Sequence, residues 1–126
     1  MTGHKSNMAR LEAVIAALPE AERKDVEAWG DHPTFRVRGK NFVFSNDTAT
    51  NLSMKLSKEE AEAVVATDEA VEPAGYGLGR HGWIALDLEP GCSAGRWTEV
   101  VEWIHTSYLL VAPKKLARQF LASENS

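Results

Sequence analysis

The side chains of this chain with chemistry to offer are mostly cations set between apolar residues. Arg36 and Arg38 alternate with Phe35 and Val37, Lys55 follows Met54, and Trp83 precedes Ile84. Apolar and polar residues alternating with period two mark a half-buried strand. Three such stretches give one greasy sheet face. The other face carries Arg36, Arg38, Ser53, Lys55, Trp83 and Asp87. Guanidinium and ammonium groups on a sheet face pair with phosphates, and Trp83 or Tyr76 offers a ring on which a base stacks. Lys40, Arg80 and His81 would extend this surface. Against this stands the plainer reading that a sheet with one solvated face simply carries charges there.

Other chemistries find less support. Lys114, Lys115 and Arg118 form a second basic cluster, in the first turns of a helix where positive charge opposes the helix dipole. That conflict hints at an anionic partner, but a solubilising helix face is the plainer reading. His32, His81 and His105 stand at no metal-ligand spacing with one another or with Cys92, so neither a metal nor a cofactor is expected. Gly77-Leu78-Gly79-Arg80-His81-Gly82 matches G-x-G-x-x-G, but it precedes a strand and opens no helix, so the dinucleotide context is missing. A small anion held by the 75–82 loop is a weaker possibility. His105 and Ser107 diverge on a helix. No carboxylate pair is placed for acid–base work. The expectation is a protein without catalytic activity.

The elements that must position these residues follow in order. Ser6 or Asn7 caps a first helix whose stripe is Leu11, Val14, Ile15 and Leu18, and Pro19 ends it. Residues 20–27 suit another helical turn, and 29–33 a loop. Strands are expected over Thr34–Arg38, Lys40–Ser45 and Thr50–Leu56, with Gly39 in a tight hairpin turn. Phe42-Val43-Phe44, apolar on both faces, suits a central strand. Ser57-Lys58-Glu59-Glu60 is a capping box opening a helix to about Thr67. Val71–Tyr76 and Trp83–Leu88 are two further strands, separated by a glycine-rich bend. A second stripe, Trp97, Val100, Val101, Ile104 and Tyr108, gives a helix to Leu110, and Pro113 starts a last one to about Leu121. Trp103 falls off that stripe, which suits either an exposed interface residue or one packed under the last helix. The order α-β-β-β-α-β-β-α-α implies an α+β two-layer sandwich, an antiparallel five-stranded sheet with helices packed on one face. A single domain over residues 7–121 is expected, with flexible termini at 1–6 and 122–126.

Composition bounds the class. At 126 residues, 44% hydrophobic and 25% charged, the chain is an ordinary one-domain soluble protein. Cys92 has no second cysteine to pair with, no apolar run approaches the ~20 residues of a membrane span, and the N-terminus has no secretory segment. A cytoplasmic location is expected. The net charge of −4 counts against a dedicated nucleic-acid binder. The charge is uneven, however. Residues 34–56 hold Arg36, Arg38, Lys40 and Lys55 against Asp47, a net +3, whereas residues 57–72 carry a net −5. The local field of such a polarised chain matters more than its total.

Several stretches together carry a family resemblance: Leu18-Pro19, Trp29-Gly30 through His32-Pro33-Thr34-Phe35-Arg36-Val37, Gly39-Lys40, Leu52-Ser53-Met54-Lys55-Leu56, Gly82-Trp83 with Leu86-Asp87-Leu88, and Ser107-Tyr108 with Val111-Ala112-Pro113-Lys114-Lys115-Leu116. As an ordered set spanning about residues 8 to 118, they resemble the MmcQ/YjbR family of small bacterial proteins. The resemblance implies a fold described as CyaY-like or secretion-chaperone-like. It also implies a DNA-binding role, a label that rests on fold comparison, and fold does not fix function. The expected function is therefore non-catalytic binding, with DNA as first partner. Arg36, Arg38, Lys40, Lys55, Arg80, His81, Lys114 and Lys115 would contact it, and Trp83 would stack. The alternative is a protein-interaction adaptor using the same face or Trp103.

Overall fold

The computed structural model describes residues 6–26, 32–75 and 77–124. Trp29, Tyr76 and the extreme termini, to which the sequence reading gave roles, lie outside the described residues. Ser6 caps α1 (Asn7–Ala16), its hydroxyl accepting from the Ala9 amide at 3.1 Å. Asn7 is buried; its Nδ2 donates to the carbonyls of Ala49 (3.1 Å) and Glu89 (2.9 Å), tying the start of α1 to two distant loops.

Ala21–Val26 is a strand, β1, where a helical turn was expected. It pairs antiparallel with β2 (His32–Val37), from Ala21↔Val37 to Val26↔His32. The sheet therefore has six strands and not five. Glu22, Arg23, Lys24 and Asp25 suggest helix in isolation, but charges are how an edge strand discourages further pairing. β3 (Lys40–Ser45) and β4 (Asn51–Lys55) complete a meander. Capped by Ser57, α2 (Lys58–Thr67) then carries the chain to β5 (Val71–Pro73). A short 3-10 turn (Leu78–His81) leads back into β6 (Trp83–Asp87), which inserts between β4 and β5. The order is β1-β2-β3-β4-β6-β5, antiparallel throughout. With α3 (Ala94–Val111) and α4 (Lys114–Glu124), the helices pack on one face, completing an α+β two-layer sandwich.

The core lies between the layers. Phe35, Val37, Val43, Leu52, Met54, Leu56, Ile84 and Leu86 are fully buried, as their alternation requires. The buried stripe of α3 is Val100, Trp103, Ile104, Ser107 and Tyr108. It is rotated from the expected one because a serine occupies its middle. Trp103 is therefore only 8% exposed, with the Arg96 guanidinium 5.9 Å from its ring centroid; it is not a docking residue. Tyr108 packs edge-on to Phe42 (5.5 Å) and Phe120 (5.8 Å), and its hydroxyl donates to the Pro19 carbonyl at 2.7 Å.

Ser107 is buried because it completes the sheet. The register of β2 on β3 shifts between Phe35 and Arg36, so Phe42 is left over as a bulge. The β3–β4 pairing runs only from Val43↔Met54 to Ser45↔Leu52. Where Phe42 and Lys55 would pair next, Ser107 Oγ donates to the Phe42 carbonyl (2.6 Å) and accepts from the Lys55 amide (2.9 Å). A buried backbone group without a partner costs about 1–3 kcal/mol. Ser107→Ala is therefore expected to lower stability by about that much, read as a reduced urea midpoint at unchanged slope.

A second tie crosses the helix layer. Arg96 donates to both Asp68 oxygens, at 2.6 and 2.8 Å, and the Ala70 amide donates to Asp68 at 3.0 Å. The Arg96 hydrogen bonds, with the Ala70 amide adding to them, hold the Asp68 carboxyl below its usual 3.8. The stabilisation this gives is present above the unfolded value of 3.8 and is lost as pH falls through the lower folded value. Asp68→Asn is expected to be less stable than wild type at neutral pH and to lose less stability in acid, measured by urea unfolding across that pH range.

Candidate functional site

Register decides which side chains share the helix-free face. Lys24, Thr34, Phe44, Ser53, Ala85 and Glu72 are opposed in turn across all six strands. Towards the β2–β3 turn, a second row holds Glu22, Arg36 and Asn41, then, beyond the bulge, Lys55 opposite Trp83. The Phe44 and Trp83 rings bridge the rows, with centroids 5.5 Å apart and planes at 56°. At the opposite end, Asn51 Nδ2 donates to Asp87 at 2.8 Å.

Arg36 and Lys55 are half-buried, and neither has an ion-pair partner among the described residues. Arg36 Nε and Asn41 Oδ1, on opposed residues, are buried polar atoms without a hydrogen-bond partner. The acids of the face stand at its margins: Glu22 and Glu72 on the two edge strands, and Asp87 already tied to Asn51. The face is thus cationic and aromatic in the middle and acidic at its rim.

The other expected cations lie elsewhere. Arg38 is in the hairpin turn, at φ +50° beside Gly39 at +80°. It leaves the face because the strand has ended, and it grips Glu20 through two hydrogen bonds of 2.6 and 2.9 Å. That contact, with charge from Lys115, lowers the pKa of Glu20. Lys40 is opposed to the core residue Val37, which puts it on the helix side of the sheet. The start of α4, with Lys114 and Lys115, therefore comes up to the hairpin end. Arg38 from the first basic cluster and Lys115 from the second thus share Glu20 there, while Arg36 and Lys55 stay on the helix-free face.

Arg80 and His81 are exposed in the 3-10 turn. A cleft of about 530 Å³ opens between this turn and α2, lined by Lys58, Val65, Pro73, Arg80 and Trp83 among others. Trp83 thus borders both the cleft and the face. Among the face residues missed in the sequence, Phe44 and Lys24 bear most on the site. Phe44 was legible, since it alternates with Val43; Lys24 was not, since its segment suggests helix. Among the described residues, no group of three His, Cys, Asp or Glu is placed to hold a metal, and no helix is long and apolar enough to cross a membrane. Chemically, the face offers a ring surface flanked by two cations.

A family model described as YjbR matches residues 16–110. Among solved structures, the chain is similar to the Deinococcus radiodurans protein DR2400, described as a DUF419 domain. The two are 21% identical with a TM-score of 0.68, over 87% of this chain and 81% of that one. That likeness is one of fold. No curated protein sequence matches the chain.

Arg80, His81 and Trp83 share one backbone support, Gly82. Its φ is +88°, and a Cβ there would lie 2.1 Å from the Leu56 carbonyl oxygen. The strands meet this closely because the Leu56 amide donates to the Gly82 carbonyl at 2.8 Å. Gly82→Ala faces both a disfavoured φ and a backbone clash, so a loss of about 2 kcal/mol or more is expected, measured by thermal or urea unfolding.

Proposed function

We propose that this chain, which belongs to the YjbR family, is a non-catalytic cytoplasmic protein that binds nucleic acid on the helix-free face of its sheet. One observation carries the reading. Arg36 and Lys55, without ion-pair partners among the described residues, flank the Phe44–Trp83 ring pair on the face that the helices leave uncovered. Cations beside aromatic rings suit an anionic backbone bearing planar bases. The free, buried Cys92 suits a reducing compartment.

Of the other cations expected to contact the partner, Arg38 is occupied by Glu20, and Lys115, next to Lys114 at the start of α4, lies near that same Glu20. They serve as controls. Fluorescence anisotropy of labelled DNA, single-stranded and annealed, tests the proposal at about 50 mM salt. At least one form is expected to bind. Arg36→Ala/Lys55→Ala should weaken it about tenfold or more, the scale of lost charge-assisted contacts, while Lys114→Ala/Lys115→Ala leaves it unchanged. No binding of either form by folded protein rejects the proposal. Affinity for a protein partner that is indifferent to salt would favour the adaptor reading instead.

A further inference from the structure

We infer that the nucleic acid held on this face is single-stranded, stacked on Trp83 with Arg36 and Lys55 on its phosphates. The inference rests on the nucleic-acid reading above and narrows it.

Shape argues first. Duplex base edges are reached through a major groove about 12 Å wide, which admits a helix or a two-stranded ribbon. Six strands at about 4.8 Å spacing make a face roughly 24 Å across. Such a face meets a duplex only along its phosphates. Charge then decides against that contact. A duplex laid over the whole face would meet Glu22, Glu72 and Asp87 as well as Lys24, Arg36 and Lys55, three acids against three cations. No net field remains to hold it, and duplex affinity rests largely on phosphate neutralisation.

A single strand needs less. The row Arg36, Lys55, Trp83 runs from β2 to β6, three strand spacings or about 14 Å, and crosses the middle of the face where no acid stands. Arg80, exposed in the turn that leads into Trp83, lines the neighbouring cleft together with it. Stacking uses the ring face and requires no net charge, which suits a chain of net charge −4. The indole is also held ready. Phe44 packs against it at 5.5 Å, and Gly82 pins the start of β6 to Leu56.

The test is anisotropy with a labelled single strand of mixed sequence and its annealed duplex. The single strand is expected to bind on the order of tenfold tighter at about 50 mM salt. With two or three phosphates contacted, it should lose only about tenfold between roughly 50 and 200 mM salt; a duplex binder with six or more contacts loses about a thousandfold. Trp83→Leu should weaken single-strand binding on the order of tenfold or more. Trp83→Phe keeps a stacking ring and should retain most of it, which preserves the test if the leucine variant does not fold. Equal or tighter binding of duplex overturns the inference alone, as does unchanged binding by folded Trp83→Leu. Binding of neither form overturns the nucleic-acid reading and this inference with it.

Discussion

The hydroxyl of Ser107 closes the sheet where its own ladder stops. The Phe42 bulge pulls the Phe42 carbonyl and the Lys55 amide out of direct reach, and one side chain from α3 donates to the carbonyl and accepts from the amide. Helix layer and sheet layer are thereby joined by hydrogen bonds as well as by apolar contact. Tyr108, the next residue, uses the same turn of α3 to pack on Phe42 and to reach the Pro19 carbonyl. A buried hydroxyl with both its roles filled is specific in a way that packing alone is not, since it fixes the register of helix on sheet.

The same joint shapes the candidate site. Lys55 carries its amide towards Ser107 and its side chain to the opposite face, beside Trp83. Because α3 holds β3 and β4 from behind, the helix-free face can present Phe44, Lys55 and Trp83 on a fixed backbone. The bulge that demands Ser107 also falls between Arg36 and Lys55 in their row. Support and presentation are two sides of one irregularity.

Much of this was legible in the residues. Alternation placed Phe35, Val37, Leu52, Met54, Ile84 and Leu86 in the core, and the position of Ser57 placed the start of α2, because both are local signals. β1 was not legible. Its charged residues suit a helix in isolation, and only pairing with β2 makes them a strand. The α3 stripe was misjudged for a related reason: a polar residue at its centre hides the face that Trp103 shares. Arg38 and Lys40 were placed on the wrong surface because alternation cannot show where a strand ends and its turn begins.

The sequence by itself determined the fold class, the two faces of the sheet and the chemistry available to each, since short-range periodicity and capping depend on neighbours in the chain. Only the tertiary structure decided which cations stand together. Arg36 and Lys55 meet across three strands, while Arg38 and Lys115 gather around Glu20 at the far side of a turn. Such proximity is set by strand register and by how α4 returns to the hairpin. Both depend on contacts between residues far apart in sequence, to which no local pattern is sensitive.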